Sequence, residues 1–486
     1  MPDIALDRED SRPLYQQIKQ ALSAAIEAGD LPPLTRLPAT RALARALGVN
    51  RVTVVTAYAE LAAEGYISSH VGRGTFVLDA ATRWQQAPPP PSLRHPGDWS
   101  AHNFSREMMR LARRPDILSF APGMPATDLL PADAYRLALN TVLRRDGPEV
   151  LQYGPLEGYA PLAAAIAADL AAGGIRARPE HLLITSGAEQ ALGLVLRTLL
   201  HPGDAVLVEQ PTYLQVLDLL AGSGADVYPI PSDAQGLDVA ALPAALARHR
   251  PRLLYLTPTY QNPTGACMPL ARRQALLELA AAHDLLLLED DVYHHLWLDA
   301  PPPPSLRSLD PGDRVIYVDG FSKNLLPGAR VGYVLAPAHL RPRLAAVHQS
   351  LDIAASELNQ RALALFLAEG RLGPHLERLR AAHRQRRQAL EMALAQAMPA
   401  ARWVTPGGGL FLWLQLPAQG PSAAALYVHA LELGVAFAPG HLFYLPGLGS
   451  AAGPRQMRLN FTLHPPAAIA DGVRRLARAW ERAGGG

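Results

Sequence analysis

The sequence predicts a multidomain chain in which a small α+β helix-turn-helix unit precedes a large α/β domain with a mostly parallel central sheet. Three observations predict it. At 486 residues the chain exceeds what one hydrophobic core usually serves. Between Ala80 and His102 it turns polar and proline-rich, with a run from Pro88 to Pro91 that favours an extended spacer. Before this stretch lie short helical patterns; after it, short apolar runs alternate with helices, the pattern of parallel βα units. The boundaries read as 10–79, 80–102 and 103–483.

The first element follows from Leu14, Ile18, Leu22 and Ile26, which recur every four residues and so form one apolar helix face that ends at Gly29. A short second helix, Thr40 to Leu47, closes at Gly48. A third starts at Asn50, whose side chain can cap it, and runs to Glu64 before Gly65. Two short helices around a tight glycine turn suggest helix-turn-helix. Tyr66 to Leu78 then reads as two strands around Gly72-Arg73-Gly74, a hairpin with an arginine at its tip. From Arg36 to Arg51 there are four arginines and no carboxylate, so positive charge gathers where the second and third helices would meet a phosphate backbone.

In the large part, apolar runs at His181–Thr185, Ala205–Glu209, Leu253–Thr257 and Leu285–Asp290 read as strands, and the second proline run, Pro301–Pro304, as a surface loop before another short strand. Gly320-Phe321-Ser322-Lys323-Asn324 sets a lysine just past a buried strand, where its amine can form a Schiff base with an aldehyde cofactor. Glu289-Asp290-Asp291-Val292-Tyr293 ends another strand and brings carboxylates and a phenol to the carboxyl edge of the sheet, where open α/β sheets bind ligands. A carboxylate beside a pyridine nitrogen keeps that nitrogen protonated, a role that suits Asp290; Tyr293 and Asn262 suit the phenolic oxygen of such a ring.

Composition excludes several classes. The single cysteine, Cys267, rules out an internal disulfide framework and a multi-cysteine zinc site, and reads as a packed thiol. About 18 consecutive uncharged apolar residues, which a membrane helix needs, are not found, nor is a basic-then-apolar leader, so a cytoplasmic protein with no membrane partner and no metal is expected. The net charge of +2 makes no statement about nucleic acid, so local charge has to carry it.

Two resemblances complete the reading. Leu37-Pro38-Ala39-Thr40-Arg41-Ala42-Leu43-Ala44, Gly48-Val49-Asn50-Arg51-Val52-Thr53-Val54, Glu64-Gly65-Tyr66-Ile67 and Gly72-Arg73-Gly74-Thr75-Phe76-Val77 closely resemble the GntR-type winged helix. This implies that Thr40 and Arg41 touch the DNA backbone, that Arg51 and Thr53 at the start of the recognition helix reach the major groove beside Asn50, itself a DNA-binding residue, and that Arg73 or Gly72 enters the minor groove. Ala39 departs from the serine usual there. From Asn103 onward the ordered motifs resemble the fold type I aminotransferases, which implies an α/β domain with a small C-terminal α+β subdomain and pyridoxal 5'-phosphate on Lys323. By the same resemblance, Gly187 and Ala188, in Thr185-Ser186-Gly187-Ala188-Glu189-Gln190, lend amides to the cofactor phosphate, Ser322 and Arg330 bind it too, and Tyr213 stacks on the ring. Arg458, in Met457-Arg458-Leu459-Asn460-Phe461, grips an effector carboxylate, Gly123 lies in the entry loop, and Tyr153 reaches the phosphate of the neighbouring subunit, so a homodimer is implied. Ala188 and Gly320 stand where a hydroxyl is frequent.

The two halves in one chain look like the MocR-type regulators. The resemblance implies a transcription regulator that binds paired promoter half-sites on double-stranded DNA and senses pyridoxal phosphate or an amino-acid or amine effector. An active aminotransferase with an accessory winged helix is the alternative, and a cofactor-free dimerisation scaffold a third reading.

Overall fold

In the computed structural model the chain divides into two compact units, Met1–Ser92 and Leu93–Gly486. The structure describes residues 4, 6–7, 13–27, 29–63, 66–70, 74–78, 101–445 and 453–484.

The first unit runs α1 (Leu14–Glu27), β1 (Arg36–Leu37), α2 (Thr40–Leu47), α3 (Arg51–Ala63), β2 (Ile67–His70) and β3 (Gly74–Val77). The four-residue period of α1 does what it predicts: Ile18, Leu22 and Ile26 are buried against Leu43, Val54, Leu61 and Val77. Gly48, at φ 63° and ψ 34°, closes α2 in the left-handed conformation that glycine adopts without a Cβ clash. Asn50 then caps α3, its Oδ1 accepting from the Val52 amide at 2.9 Å. The Tyr58 hydroxyl donates to the Pro38 carbonyl at 3.0 Å and ties α3 to the segment before α2. Strand β1 was not expected; it pairs antiparallel with β3 and makes a three-stranded sheet of order β1-β3-β2. Gly72 and Arg73 at the hairpin tip, and residues 80–100 of the expected linker, lie outside the described residues. The helix Ala101–Leu111 begins before the expected start of the large domain at 103.

The large unit adds β4 (Leu118–Ser119), β5 (Leu182–Thr185), β6 (Ala205–Gln210), β7 (Asp226–Asp233), β8 (Gly236–Leu237), β9 (Leu253–Leu256), β10 (Leu286–Asp290), β11 (Val315–Gly320) and β12 (Gly332–Leu335). Its main sheet has the order β5-β12-β11-β10-β9-β6-β7-β8. The pairs from β11 to β7 are parallel, whereas β12 runs antiparallel to both neighbours and β8 antiparallel to β7. Strands β5, β9, β11 and β12 are buried along their whole length, as expected of a sheet covered on both faces.

A second sheet, β13 (Arg402–Trp403), β14 (Phe411–Gln415), β16 (Ala438–Pro439) and β17 (Gln456–Asn460), packs with the helices Ala423–Glu432 and Pro466–Arg482 into the small C-terminal α+β part. Between β14 and β16, the short β15 (Val435–Ala436) pairs in parallel with β4 and so brings the start of the unit to its C-terminal part. Pro301–Pro304 is a loop, as expected, but the helix Leu306–Leu309 follows it where a short strand was expected. No helix among the described residues is long and apolar enough to cross a membrane.

Candidate functional site

The period of two in a strand decides which side chains reach the site. Along β10, Leu286, Leu288 and Asp290 share one face, packed under the helix Ala188–Leu199, while Leu287 and Glu289 face the other way. Glu289 is thereby spent on structure: its two oxygens accept from the amides of Leu306 and Arg307, each at 2.8 Å. Asp290 instead ends its face at the wall of a cavity of about 60 Å³, lined also by Ala188, Tyr213, Tyr293, Ser322, Lys323 and Arg330.

Asp290 is 4% exposed, and its Oδ2 accepts from the hydroxyl of Tyr255 on the adjacent β9 at 2.9 Å. Its Oδ1 is buried with no hydrogen-bond partner. Burial pushes this carboxyl up to about 6, against the pull of the Tyr255 hydroxyl. A buried acceptor without a donor costs on the order of 1–3 kcal/mol, more for a charged one, so the arrangement calls for a donor.

Lys323 follows the end of β11. Its Nζ donates to the Gly123 carbonyl at 2.7 Å, and burial, aided by the positive charge of Arg458, brings its amine down to about 8. A Cβ on Gly123 would stand 2.9 Å from Phe411 Cζ and 3.8 Å from Lys323 Nζ, so the segment passes this close only because it carries no side chain.

Arg458 on β17 is 3% exposed. It donates to Asn262 Oδ1 and to the Ala121 carbonyl, both at 2.6 Å, and its guanidinium carbon lies 4.0 Å from the Phe411 ring centre and 4.8 Å from that of Phe443. Among the described residues it has no carboxylate partner, its Nε has none at all, and burial brings it down to about 10. Asn262 joins this group to the next by donating from Nδ2 to the Tyr293 hydroxyl at 3.3 Å. The turn bearing Tyr293 is pinned behind the cavity, where His294 Nδ1 meets the Asp291 carbonyl at 2.8 Å and His295 Nε2 meets Asp169 Oδ2 at 3.1 Å.

The other end of the cavity is the first turn of the helix Ala188–Leu199. Gly187 precedes it at φ 101°, and a Cβ there would come within 3.0 Å of Arg330, whose Nη2 donates to the Ser186 carbonyl at 2.9 Å. Arg330 is itself left-handed, at φ 53°. Gly320 and Gly332 let two strand ends press on this turn: a Cβ on Gly332 would meet Ala188 N at 2.5 Å, and one on Gly320 would meet the Val331 carbonyl at 3.0 Å. A side chain at 320 therefore fits only if these backbone atoms give by a few tenths of an ångström. Free amides at a helix start, a guanidinium and the Ser322 hydroxyl form an anion-binding donor set.

The structure thus brings together Lys323, Asp290, Tyr293, Asn262, Tyr213, Ser322, Arg330, Gly187, Ala188, Arg458 and Gly123. Tyr153 is 76% exposed and does not line the cavity of its own chain. Thr40, Arg41, Asn50, Arg51 and Thr53 gather at the start of α2 and across the turn into α3. Sequence reasoning missed Tyr255 and Phe411. Their apolar strands hid them, although a tyrosine inside the run Leu253–Leu256 is a polar atom that needs a partner.

The residue set fits pyridoxal phosphate: an unpartnered buried carboxylate for a protonated ring nitrogen, a near-neutral lysine amine for an aldehyde, and an anion-binding turn for a phosphate. Comparison with known proteins agrees. Residues 115–476 match the family of aminotransferases class I and II, and residues 14–77 match the bacterial regulatory proteins of the gntR family. The chain is 40% identical over 380 residues to the 2-aminoadipate transaminase of Thermus thermophilus, covering 77% of this chain and 92% of that one. It is 34% identical over 491 residues to the HTH-type transcriptional regulator TauR of Rhodobacter capsulatus, covering 96% of each. Among solved structures, LysN, the alpha-aminoadipate aminotransferase of Thermus thermophilus complexed with N-(5'-phosphopyridoxyl)-L-leucine, matches with a TM-score of 0.73 at 37% identity, over 82% of this chain and 98% of that one.

Proposed function

The chain belongs to the aminotransferase class I and II family, in the MocR-type branch that joins this fold to a gntR-family domain, and from that premise we propose a DNA-binding regulator switched by an amino compound at the pyridoxal phosphate site. The observation that carries the proposal is the buried Asp290 Oδ1, without a partner, in the same cavity as Lys323.

When bound, pyridoxal phosphate supplies an aldehyde that condenses reversibly with amines and a ring that withdraws electrons from the attached carbon. Lys323 holds the aldehyde end, and an amine near 8 presents far more free base at neutral pH than an ordinary lysine would. Asp290 keeps the proton on the ring nitrogen, while Asn262 and Tyr293 donate to the phenolic oxygen. Tyr213 covers the ring, and Ser322, Arg330 and the amides of Gly187 and Ala188 take the phosphate. Arg458, a buried cation without a counter-ion among the described residues, selects effectors that bear a carboxylate. In a homodimer, Tyr153 of each protomer completes the phosphate site of the other.

The effector-binding domain, 103–483, acts through the segment 80–102 on the winged helix, 10–79. Thr40 and Arg41 meet phosphates, Asn50, Arg51 and Thr53 the major groove, and Arg73 the minor groove, so a dimer reads two half-sites. A ligand that binds one arrangement of the dimer more tightly shifts promoter affinity by that difference.

The test has two parts. Addition of pyridoxal phosphate should produce a visible band, and borohydride reduction should fix the cofactor mass on the peptide containing Lys323. An amino acid should then change the dissociation constant of the loaded protein for its own promoter region. No band, or a band without any change in DNA binding, refutes the proposal. The completeness of the cavity favours a second reading, an active transaminase, which turnover with a keto acid and the absence of a footprint would establish.

A further inference from the structure

Residues on α3 other than those already assigned carry a distinct signal. Val52 is 68% exposed and Val55 is 42% exposed. Ala59 and Ala62 continue the same exposed line along the helix, whereas Val54, Ala57, Tyr58 and Leu61 form the buried face. Neither helix propensity nor packing accounts for two exposed valines, since a β-branched residue is a poor helix former and these two touch no core. The hydroxyl of Thr56, between them and the core, is turned back onto the Val52 carbonyl at 3.0 Å. Along the line of Val52 and Val55 the first turns of α3 therefore present methyl groups, next to the polar side chains of Arg51 and Thr53.

The surroundings fix what meets this face. Arg36, Arg41, Arg45 and Arg51 are all exposed, and none forms an ion pair among the described residues. An apolar strip that starts beside Arg51, in a segment from Arg36 to Arg51 with three more exposed arginines, suits neither a membrane interior nor an apolar protein core. It suits a polyanion that carries methyl groups between its phosphates, which describes the major groove of duplex DNA wherever thymine displays its C5-methyl. Side chains three apart on a helix stand roughly 5–6 Å from each other, and base pairs are stacked about 3.4 Å apart, so one pair of valines spans two neighbouring base pairs.

We propose that Val52 and Val55 set the sequence preference of this protein by packing against the C5-methyls of neighbouring thymines in each half-site. The inference rests on the reading of the first unit as the DNA-binding part, and the experiment separates the two.

The full-length protein, loaded with pyridoxal phosphate, is used to select binding sites from random duplexes. Each selected thymine is then replaced in turn by deoxyuridine, which removes the methyl and nothing else, and dissociation constants are measured by fluorescence anisotropy at fixed salt. At one or two adjacent positions per half-site the loss of a buried methyl should weaken binding about four-fold. In the double variant Val52→Ser, Val55→Ser this discrimination between thymine and uracil should vanish while salt-sensitive binding persists, and an unchanged melting temperature will show that the fold is intact. Equal affinity for the thymine and deoxyuridine duplexes overturns the inference and leaves DNA binding standing, as does discrimination that survives in the double variant. Failure to bind any duplex at low salt overturns the underlying reading instead.

Discussion

Replacing Lys323 by methionine should stabilise the cofactor-free protein at neutral pH. Burial and the Arg458 charge bring the Lys323 amine from its ordinary 10.5 down to about 8, which at 1.36 kcal/mol per pH unit is a penalty of about 3 kcal/mol on the folded state. The sign follows from proton counting. Between pH 8 and 10.5 the unfolded chain binds a proton at this lysine that the folded chain does not, so stability rises with pH across that window, and below it the full penalty remains. Lys323→Met removes the penalty and also the hydrogen bond to the Gly123 carbonyl, a loss of about 1 kcal/mol. The variant should therefore exceed the wild type by about 2 kcal/mol at pH 7, and the gap should close to nearly nothing by pH 10. Urea unfolding of both proteins at pH 7, 8, 9 and 10, followed by the transition of the large unit, measures the difference, and subtraction cancels the titrating groups that do not interact with Lys323. A difference that stays flat from pH 7 to 10 refutes the argument.

Three further outcomes are expected. Gly332→Ala drives a Cβ to 2.5 Å from the Ala188 amide nitrogen, between backbone atoms that cannot step aside, so thermal stability should fall by about 1–3 kcal/mol or more and pyridoxal phosphate should bind more weakly; Gly328→Ala, with nothing within 4 Å, should be neutral in the same melts. Arg458→Lys keeps the charge but loses the fork, and by isothermal titration a carboxylate-bearing amine should bind about 10-fold to 100-fold more weakly while an amine without a carboxylate is unaffected. Arg51→Ala should weaken DNA binding and lower the slope of log affinity against log salt by about 1 if the side chain meets a phosphate, and should relax base preference at one position if it meets a guanine.

Much of this was legible in the sequence because local rules and tertiary structure agree here. Gly48 and Asn50 bracket the turn between α2 and α3 by chemistry that needs no partner elsewhere in the chain, and the lysine, the acidic strand end and the glycine turn each lie at the end of an apolar run. What escaped was non-local. A two-residue strand such as Arg36–Leu37 has no period, and it exists because β3 offers it an edge. Asp290 and Asp291 look alike in the sequence; Tyr255 on the neighbouring strand supplies the partner of one, and strand parity sends Asp290 to the cavity. The lysine's acceptor, the Gly123 carbonyl, is a backbone atom 200 residues away, which no reading of side chains could nominate.

The alternation along β10 constrains how this protein can change over time. Glu289 and Asp290 are adjacent carboxylates with unrelated duties, one capping the start of the helix Leu306–Leu309 and one facing the cavity. Substitution at either position alters one duty alone. Gain or loss of a single residue within Leu286–Asp290 would exchange their faces, send the structural acid into the site and take its carboxylate from the Leu306 and Arg307 amides in the same event. Lineages derived from this chain are therefore free to vary the letters of this strand within limits, but its length should be inherited unaltered.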